Sequence, residues 1–173
     1  YGKQDNSTIN ITAINGGTGG FAISGFNSGI NVWESNVGAG GDINGDGLAD
    51  VVIGDSASGA NNRAVVVFGS VTNPGSFAAT AVGSRGFIIQ GATNTGSALG
   101  DNVTIAGDFN GDGLADVVVS DEAGRVYVVY GNTSNTTVAL QAGSVDATGA
   151  AGFTILTSET VAELQRRIDA LTA

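Results

Sequence analysis

The feature that most constrains the fold of this chain is an internal repeat with an offset of 66 residues. The dipeptide Gly-Phe begins at Gly20, Gly86 and Gly152, and a nine-residue acidic segment beginning at Asp42 recurs at Asp108. Two independent landmarks in one register indicate a duplicated structural unit, with a third copy begun at the C-terminus. The 173 residues therefore correspond to about 2.6 units of 66 residues.

Each unit contains four short segments rich in Val, Ile, Phe and Tyr and bounded by Gly, Asn, Asp and Ser, which is typical of β-strands. Their unbroken apolar runs predict sheets that are covered on both faces. Four strands per unit, with the unit stacked on a copy of itself, predict an all-β fold of propeller-type blades or a related radial array. The predicted strands are Phe21–Ser24, the stretch around 32–37, Val51–Ile53 and Ala64–Phe68 in the first unit, and Gly86–Gln90, Asn102–Ala106, Asp116–Ser120 and Arg125–Tyr130 in the second.

The repeat divides the chain into a first blade at 1–69, a second blade at 70–131, the start of a third blade at 132–157 and a C-terminal segment at 158–173. The last segment predicts a short amphipathic helix, because Thr160 and Glu163 have capping-box spacing and apolar residues recur on one helical face. We expect this helix to pack against the neighbouring sheet; the alternative is a docking element for another subunit.

Missing residue types exclude several functions. The chain has no His and no Cys, so it cannot form a Ser-His-Asp triad, a Cys-His pair, the usual zinc sites or an iron–sulfur cluster. Six Lys and Arg residues face sixteen Asp and Glu residues, and the resulting net charge of -10 disfavours nucleic acid as a partner. No apolar run is long enough to predict a membrane span. Because the chain contains no Met and begins at Tyr1, we expect it to be a piece of a longer protein.

The two acidic segments share the pattern Asp-x-Asn-x-Asp-Gly-x-x-Asp, and we call them the first aspartate loop (42–50) and the second aspartate loop (108–116). Calcium takes six to eight oxygen ligands, and side chains at positions one, three and five converge on a cation when the glycine at position six permits a sharp turn. Position seven offers a backbone carbonyl and position nine a further carboxylate. The predicted ligands are Asp42, Asn44, Asp46, the Leu48 carbonyl and Asp50 in the first loop, and Asp108, Asn110, Asp112, the Leu114 carbonyl and Asp116 in the second.

The alternative interpretation of these loops is an Asx-stabilised turn without a metal. A turn needs two or three such residues, whereas five oxygen ligands at fixed spacing occur twice in register. Position twelve, where a helix–loop–helix calcium site places a Glu, is Ile53 or Val119, so these loops are not of that type. We therefore predict two Ca²⁺ sites, with Mg²⁺ disfavoured because it requires a tighter octahedron.

The segments 106–119 and 126–131, together with 40–54 and 65–69, resemble the FG-GAP repeat of integrin alpha-subunit propellers and of many bacterial extracellular proteins. The resemblance covers about residues 1–155 and implies propeller blades whose aspartate loops bind calcium. Two departures limit it. The Gly-Ala-Pro expected after the third strand is replaced by residues 54–56 and 120–122, and the chain has too few units to close a ring alone.

These features together predict a calcium-stabilised extracellular or cell-surface module of adhesion or surface-assembly type, with no catalytic activity of its own. Its expected partners are further copies of the chain or the remainder of a longer propeller, and a protein or a glycan as ligand. The alternative is the propeller part of a secreted hydrolase whose catalytic domain lies outside this chain. Asp55, Asp121 and Glu122 are interpreted as charges that solvate turns rather than as an acid–base pair.

Overall fold

The computed structural model describes residues 11–15, 20–26, 36–56, 62–91, 99–140 and 152–156. Within these ranges the chain is built mainly of β-strands and has no helix of seven or more residues. The helical elements are the short helix α1 at Ile11–Asn15 and two 3-10 turns at Ala79–Ala81 and Gly83–Arg85. The prediction of an all-β protein is confirmed at the level of fold class.

The strands form three sheets. The small sheet pairs β1 with β5; the first sheet has the order β10-β6-β4-β3-β2; the second sheet has the order β11-β9-β8-β7. The strand bounds are β1 Ile23–Ser24, β2 Val37–Ala39, β3 Val51–Asp55, β4 Arg63–Val67, β5 Phe77–Ala78, β6 Gly86–Gln90, β7 Leu99–Gly107, β8 Asp116–Asp121, β9 Arg125–Val129, β10 Val138–Ala139 and β11 Gly152–Leu156.

The first and second sheets share one antiparallel topology. Val52 pairs with Val66, which pairs in turn with Phe87 on β6. In the second sheet Val118 pairs with Val128, which pairs with the backbone of residue 153 on β11. The duplication predicted from the sequence is therefore present as two equivalent four-stranded sheets, with β10 added in parallel at the edge of β6.

The offset between equivalent residues is not uniform. It is 66 residues for the pair Val52 and Val118 but 62 for the pair Val66 and Val128. The connection from β8 to β9 has three residues where the connection from β3 to β4 has seven, and the following connection in the second unit is correspondingly longer. Surface connections tolerate such changes far better than the paired strands do, so the landmarks outside this hairpin keep their spacing of 66.

One grouping of strands expected from the sequence is wrong. The Gly-Phe strand β6 does not join the sheet of the strands that follow it; it pairs with β4 of the preceding unit. Likewise β11 pairs with β9. The second and third sequence repeats thus begin with the strand that completes the preceding sheet.

The two large sheets pack face to face around a shared core. Its buried members include Ile43, Val52 and Phe87 from the first unit and Val117 and Val129 from the second. The opposite face of the first sheet forms a second cluster, in which Val65 and Val67 pack beneath the small sheet. The first sheet is therefore covered on both faces, as its apolar strands predict.

Two predictions fall on residues that the structure does not describe: most of the strand expected around 32–37, and the C-terminal helix at 158–173. In the described ranges the sheets do not form a closed ring. No helix in these ranges is long and apolar enough to cross a bilayer.

Candidate metal centre

Each aspartate loop connects the edge strand of a large sheet to the strand beside it: the first loop runs from β2 to β3, and the second from β7 to β8. Each loop contains two glycines with left-handed backbone. Gly45 and Gly47 have φ of 80° and 82°, and Gly111 and Gly113 have 80° and 90°. Residues other than glycine rarely adopt a positive φ. The path of the backbone therefore requires the glycines in the sequence pattern.

Asp42 organises the first loop from position one. Its Oδ1 accepts hydrogen bonds from the backbone N–H groups of Gly45, at 2.7 Å, and Asp46, at 3.1 Å. Its Oδ2 accepts the N–H of Gly47 at 2.7 Å. One carboxylate therefore binds three successive backbone donors, which fixes the turn around it.

Positions three and five are joined to each other. The Asn44 amide Nδ2 donates to Asp46 Oδ2 at 3.0 Å, and the Asp46 N–H donates to Asn44 Oδ1 at 3.0 Å. Asp46 Oδ1 also accepts the N–H of Leu48 at 2.8 Å. The side chains at positions one, three and five are thus brought together on one exposed loop.

The second loop repeats this network. Asp108 accepts the N–H groups of Gly111, Asp112 and Gly113 at 2.7, 3.1 and 2.9 Å. Asn110 donates to Asp112 Oδ2 at 2.8 Å, and Asp112 Oδ1 accepts the Leu114 N–H at 2.8 Å. Every bond of the first loop has a counterpart in the second, so the two loops form one structural motif used twice.

The carboxylate at position nine has a different environment. Asp50 is fully buried; its Oδ2 accepts the N–H of Ile43 and its Oδ1 accepts the N–H of Gly69, both at 2.7 Å. Asp116 is also fully buried and accepts the N–H groups of Phe109, at 2.6 Å, and Gly131, at 2.8 Å. Position nine therefore ties each loop to a backbone N–H just beyond the fourth strand of its unit, which is Gly69 after β4 and Gly131 after β9.

The surroundings of Asp50 on balance raise the pKa of its carboxyl and so disfavour its charged form. Burial raises the pKa of this carboxyl, the N–H groups of Gly69 and Ile43 lower it, and the charges of Asp46 and Asp42 raise it further. Three carboxylates of one loop therefore repel one another across a partly buried site.

The chemistry of the donors suits a hard cation, because carboxylate and amide oxygens are the ligands that calcium prefers. In the described residues, however, no three or more acidic side chains converge into a group that could hold a metal ion as they stand. Their oxygens instead accept hydrogen bonds from the loop backbone. The arrangement brings positions one, three and five together and turns position nine toward the protein interior.

Sequence reasoning missed two ion pairs, a buried one at the end of the β3–β4 hairpin and a partly buried one at the end of the β8–β9 hairpin. Asp55 Oδ2 accepts hydrogen bonds from Arg63 Nε, at 3.1 Å, and Nη2, at 3.0 Å, and the two side chains are only 4% and 6% exposed. In the second unit Asp121 Oδ2 accepts from Arg125 Nε at 2.8 Å. The interpretation of Asp55 and Asp121 as solvated turn charges is therefore wrong, whereas Glu122 is exposed in its turn.

Asp121 also influences a neighbouring tyrosine. The Tyr127 hydroxyl donates a 3.2 Å hydrogen bond to Asp121 Oδ2. Burial, followed by the negative charge of Asp121, raises the pKa of Tyr127 to about 12. The signal for the two Asp–Arg ion pairs was present in the sequence. In both units an Asp ends the third strand and an Arg begins the fourth: Asp55 and Arg63, and Asp121 and Arg125.

A family model described as an FG-GAP-like repeat matches residues 42–119 of this chain. The match begins at the first residue of the first aspartate loop and runs through the second loop into β8. The chain thus contains an FG-GAP-like repeat in this region. No curated protein matches the chain.

Proposed function

We propose that this chain is a calcium-stabilised, non-catalytic module of an extracellular or cell-surface structural or adhesive protein, with one Ca²⁺ held by each aspartate loop. The first ion would be held by Asp42, Asn44, Asp46, the Leu48 carbonyl and Asp50, and the second by Asp108, Asn110, Asp112, the Leu114 carbonyl and Asp116. The ion supplies no chemistry to a substrate; it neutralises carboxylates and stabilises the loops.

The observation that carries this proposal is the repetition of the loop geometry. Two segments 66 residues apart place two carboxylates and an amide on one exposed turn through the same hydrogen bonds. A turn requires fewer acidic groups than this, and the repulsion among them costs stability unless a cation neutralises it. Two Ca²⁺ would change the formal charge of the chain from -10 to -6.

The assignment to an extracellular structural or adhesive role has three supports. The full sequence has no His or Cys and therefore lacks the residues of the common nucleophilic and zinc-dependent mechanisms. The repeated sheets stack through a shared core, which is how repeat proteins build extended surfaces rather than single pockets. Loops with few rigid ligands suit the millimolar calcium found outside cells.

Thermal unfolding with and without calcium tests the proposal. A ligand that binds only the folded state stabilises it by about 2.7 kcal/mol when its concentration is one hundred times the dissociation constant. We expect the midpoint to rise with calcium and to fall back on addition of chelator, with a smaller response to magnesium. An unchanged midpoint at millimolar calcium would overturn the proposal.

A further inference from the structure

The two aspartate loops contain the same dipeptide, Asn-Gly, at positions three and four. It is formed by Asn44 and Gly45 in the first loop and by Asn110 and Gly111 in the second. An Asn that precedes Gly is prone to spontaneous deamidation, because glycine has no side chain to shield its backbone nitrogen. The full sequence has one further Asn-Gly, which begins at Asn15 and lies outside both loops.

Deamidation is an attack of one residue on its neighbour. The glycine backbone nitrogen loses its proton to a base and bonds to the side-chain carbonyl carbon of the Asn, whose side-chain nitrogen leaves as ammonia. Water then opens the resulting succinimide ring. The products are Asp, in the ordinary linkage, and isoaspartate, in which the backbone runs through the side-chain carbon. The only reagents are water and hydroxide, so the accessibility of the glycine nitrogen controls the rate.

Both glycine nitrogens are held in the closed loops. The Gly45 N–H donates to Asp42 Oδ1 at 2.7 Å, and the Gly111 N–H donates to Asp108 Oδ1 at 2.7 Å. A hydrogen bond to a carboxylate is stronger than one to a neutral acceptor, and the negative charge opposes loss of the N–H proton. The carboxylate at position one therefore suppresses the first step of the reaction.

The Asn side chains are held as well. Asn44 Nδ2 donates to Asp46 Oδ2 at 3.0 Å, and Asn44 Oδ1 accepts the Asp46 N–H at 3.0 Å. Asn110 makes the same two contacts with Asp112, at 2.8 and 3.0 Å. Because both ends of each amide are bonded, its carbon cannot turn freely toward the glycine nitrogen. Deamidation must therefore proceed through an opened loop.

The first loop has support from the second unit. The Ala115 N–H donates to the Asp42 carbonyl oxygen at 2.8 Å. A Cβ on Gly45 would stand 3.0 Å from the Leu114 side chain. Opening the first loop therefore also disturbs its contacts with the neighbouring sheet.

The second loop is more open to solvent. Among the described residues, no atom beyond its chain neighbours lies within 4 Å of the point where a Cβ on Gly111 would stand. Asn110 is exposed, whereas Asn44 is half-buried. Local opening costs least where a segment has the fewest contacts, so the second loop opens more readily than the first.

We propose that Asn44 and Asn110 are sites of spontaneous deamidation, which Asp42 and Asp108 suppress while the loops are closed and which loss of calcium releases. The last part rests on the calcium sites proposed above. An ion bound only by the closed loop makes opening rarer in proportion to the ratio of its concentration to its dissociation constant. Calcium therefore protects position three in addition to stabilising the fold.

Deamidation changes position three permanently. An N–H donor becomes a carboxylate beside Asp46 or Asp112, and the two added charges change the formal charge of the chain from -10 to -12 when both loops have reacted. Isoaspartate also inserts one carbon atom into the backbone between positions three and four. The N–H groups that Asp42 and Asp108 bind are then displaced, so a loop that has reacted does not regain its closed geometry.

Peptide mass spectrometry after incubation in mildly alkaline buffer measures the reaction, since each deamidation raises the mass of one peptide. The chain is compared folded in calcium, folded in chelator and unfolded in urea. In urea, Asn15, Asn44 and Asn110 are expected to react at similar rates. In chelator, the loop residues should react more slowly than in urea, with Asn110 ahead of Asn44. Calcium at one hundred times its dissociation constant should slow both by about a further hundredfold, without changing the rate at Asn15.

Asp42→Ala and Asp108→Ala test the role of position one. In chelator, Asp42→Ala should accelerate deamidation of Asn44 by about ten- to a hundredfold, the equivalent of one hydrogen bond to a charged group. Asn110 should be unaffected, and Asp108→Ala should give the reverse result, so each loop is the control for the other. If Asp42→Ala unfolds the chain, both loops will react at the urea rate. Asp42→Asn, which keeps a neutral acceptor, should then accelerate Asn44 alone.

Acceleration confined to the altered loop supports the proposal. Reaction of Asn44 and Asn110 at the urea rate in the folded, chelated chain overturns it, and so does a wild-type rate at Asn44 in the folded Asp42 variant. Rates that calcium does not change overturn the proposed metal sites and the release by calcium loss. The variants in chelator decide the role of Asp42 and Asp108 separately.

Discussion

The backbone N–H of Gly69 donates a 2.7 Å hydrogen bond to Oδ1 of the fully buried Asp50. Asp50 lies just before β3, and Gly69 lies just after β4, its antiparallel partner. The same relationship joins Gly131 to Asp116 at 2.8 Å. The last carboxylate of each loop thus holds the loop, through the backbone, to the end of the fourth strand. This function does not depend on a cation, so position nine and position five should respond differently to substitution.

Replacing Asp50 by Asn should lower the free energy of unfolding by about 1–3 kcal/mol in chelator, since one buried N–H loses its acceptor. Replacing the exposed Asp46 by Asn should change it by less than about 0.5 kcal/mol in chelator, because the remaining amide oxygen can still accept the Leu48 N–H and water can satisfy the exposed Asn44 amide. Urea denaturation of both variants measures the difference. Equal losses would show that position nine has no special structural role.

The buried pair of Arg63 and Asp55 should be costly to break from one side. Asp55→Ala leaves a guanidinium that is only 6% exposed without its carboxylate, and one-sided removal of a buried partner typically costs about 3–5 kcal/mol. The matched variant Asp121→Ala should cost less, because Arg125 is 17% exposed and can reach water. Chemical denaturation would contradict this order if Asp121→Ala were the more harmful change.

Tyr127 should make stability decrease at high pH. Its pKa in the folded protein is raised to about 12, above the ordinary value of 10.0, because burial and the charge of Asp121 disfavour the phenolate. A raised pKa means that the contribution to stability is complete below pH 10 and is lost as pH rises toward 12. The free energy of unfolding, measured by denaturation at pH values from 9 to 12, should therefore fall more steeply with pH for the wild type than for Tyr127→Phe. Parallel curves would exclude this role.

The close approach of the two large sheets should make Gly54 intolerant of a side chain. A Cβ at this position would clash with the carbonyl oxygen of Gly100 on β7, and overpacking of this kind costs about 1–3 kcal/mol. Gly20→Ala is the control, since its Cβ would make an ordinary 3.7 Å contact with Ile14. Thermal unfolding should place Gly54→Ala well below the control, and similar midpoints would show that the sheets can separate at no cost.

The sequence predicted the repeat and the position of both loops because these depend on local patterns. Gly45 and Asp46, with their counterparts Gly111 and Asp112, occur where the backbone turns and where side chains meet. Strand pairing is not local. Because β6 and β11 each follow a long connection, nothing in the sequence around Gly86 indicates whether the strand pairs backward or forward.

Burial of charge was the second feature that could not be predicted. Asp55 and Asp121 occur next to turn residues, where most carboxylates are solvated, but in the fold they are only 3% and 5% exposed and each pairs with an Arg. The change of offset from 66 to 62 between β4 and β9 also hid the equivalence of Arg63 and Arg125, because aligning the whole chain at one offset places Arg63 opposite Val129. Equivalent residues became evident only from the strand register.

The most direct test of the account is the number of calcium ions bound per chain, measured by isothermal titration calorimetry. The wild type should bind two ions, Asp46→Ala and Asp112→Ala one each, and the double variant none. Binding of fewer than two ions by the folded wild type, or of two by either single variant, would contradict the assignment of one Ca²⁺ to each aspartate loop.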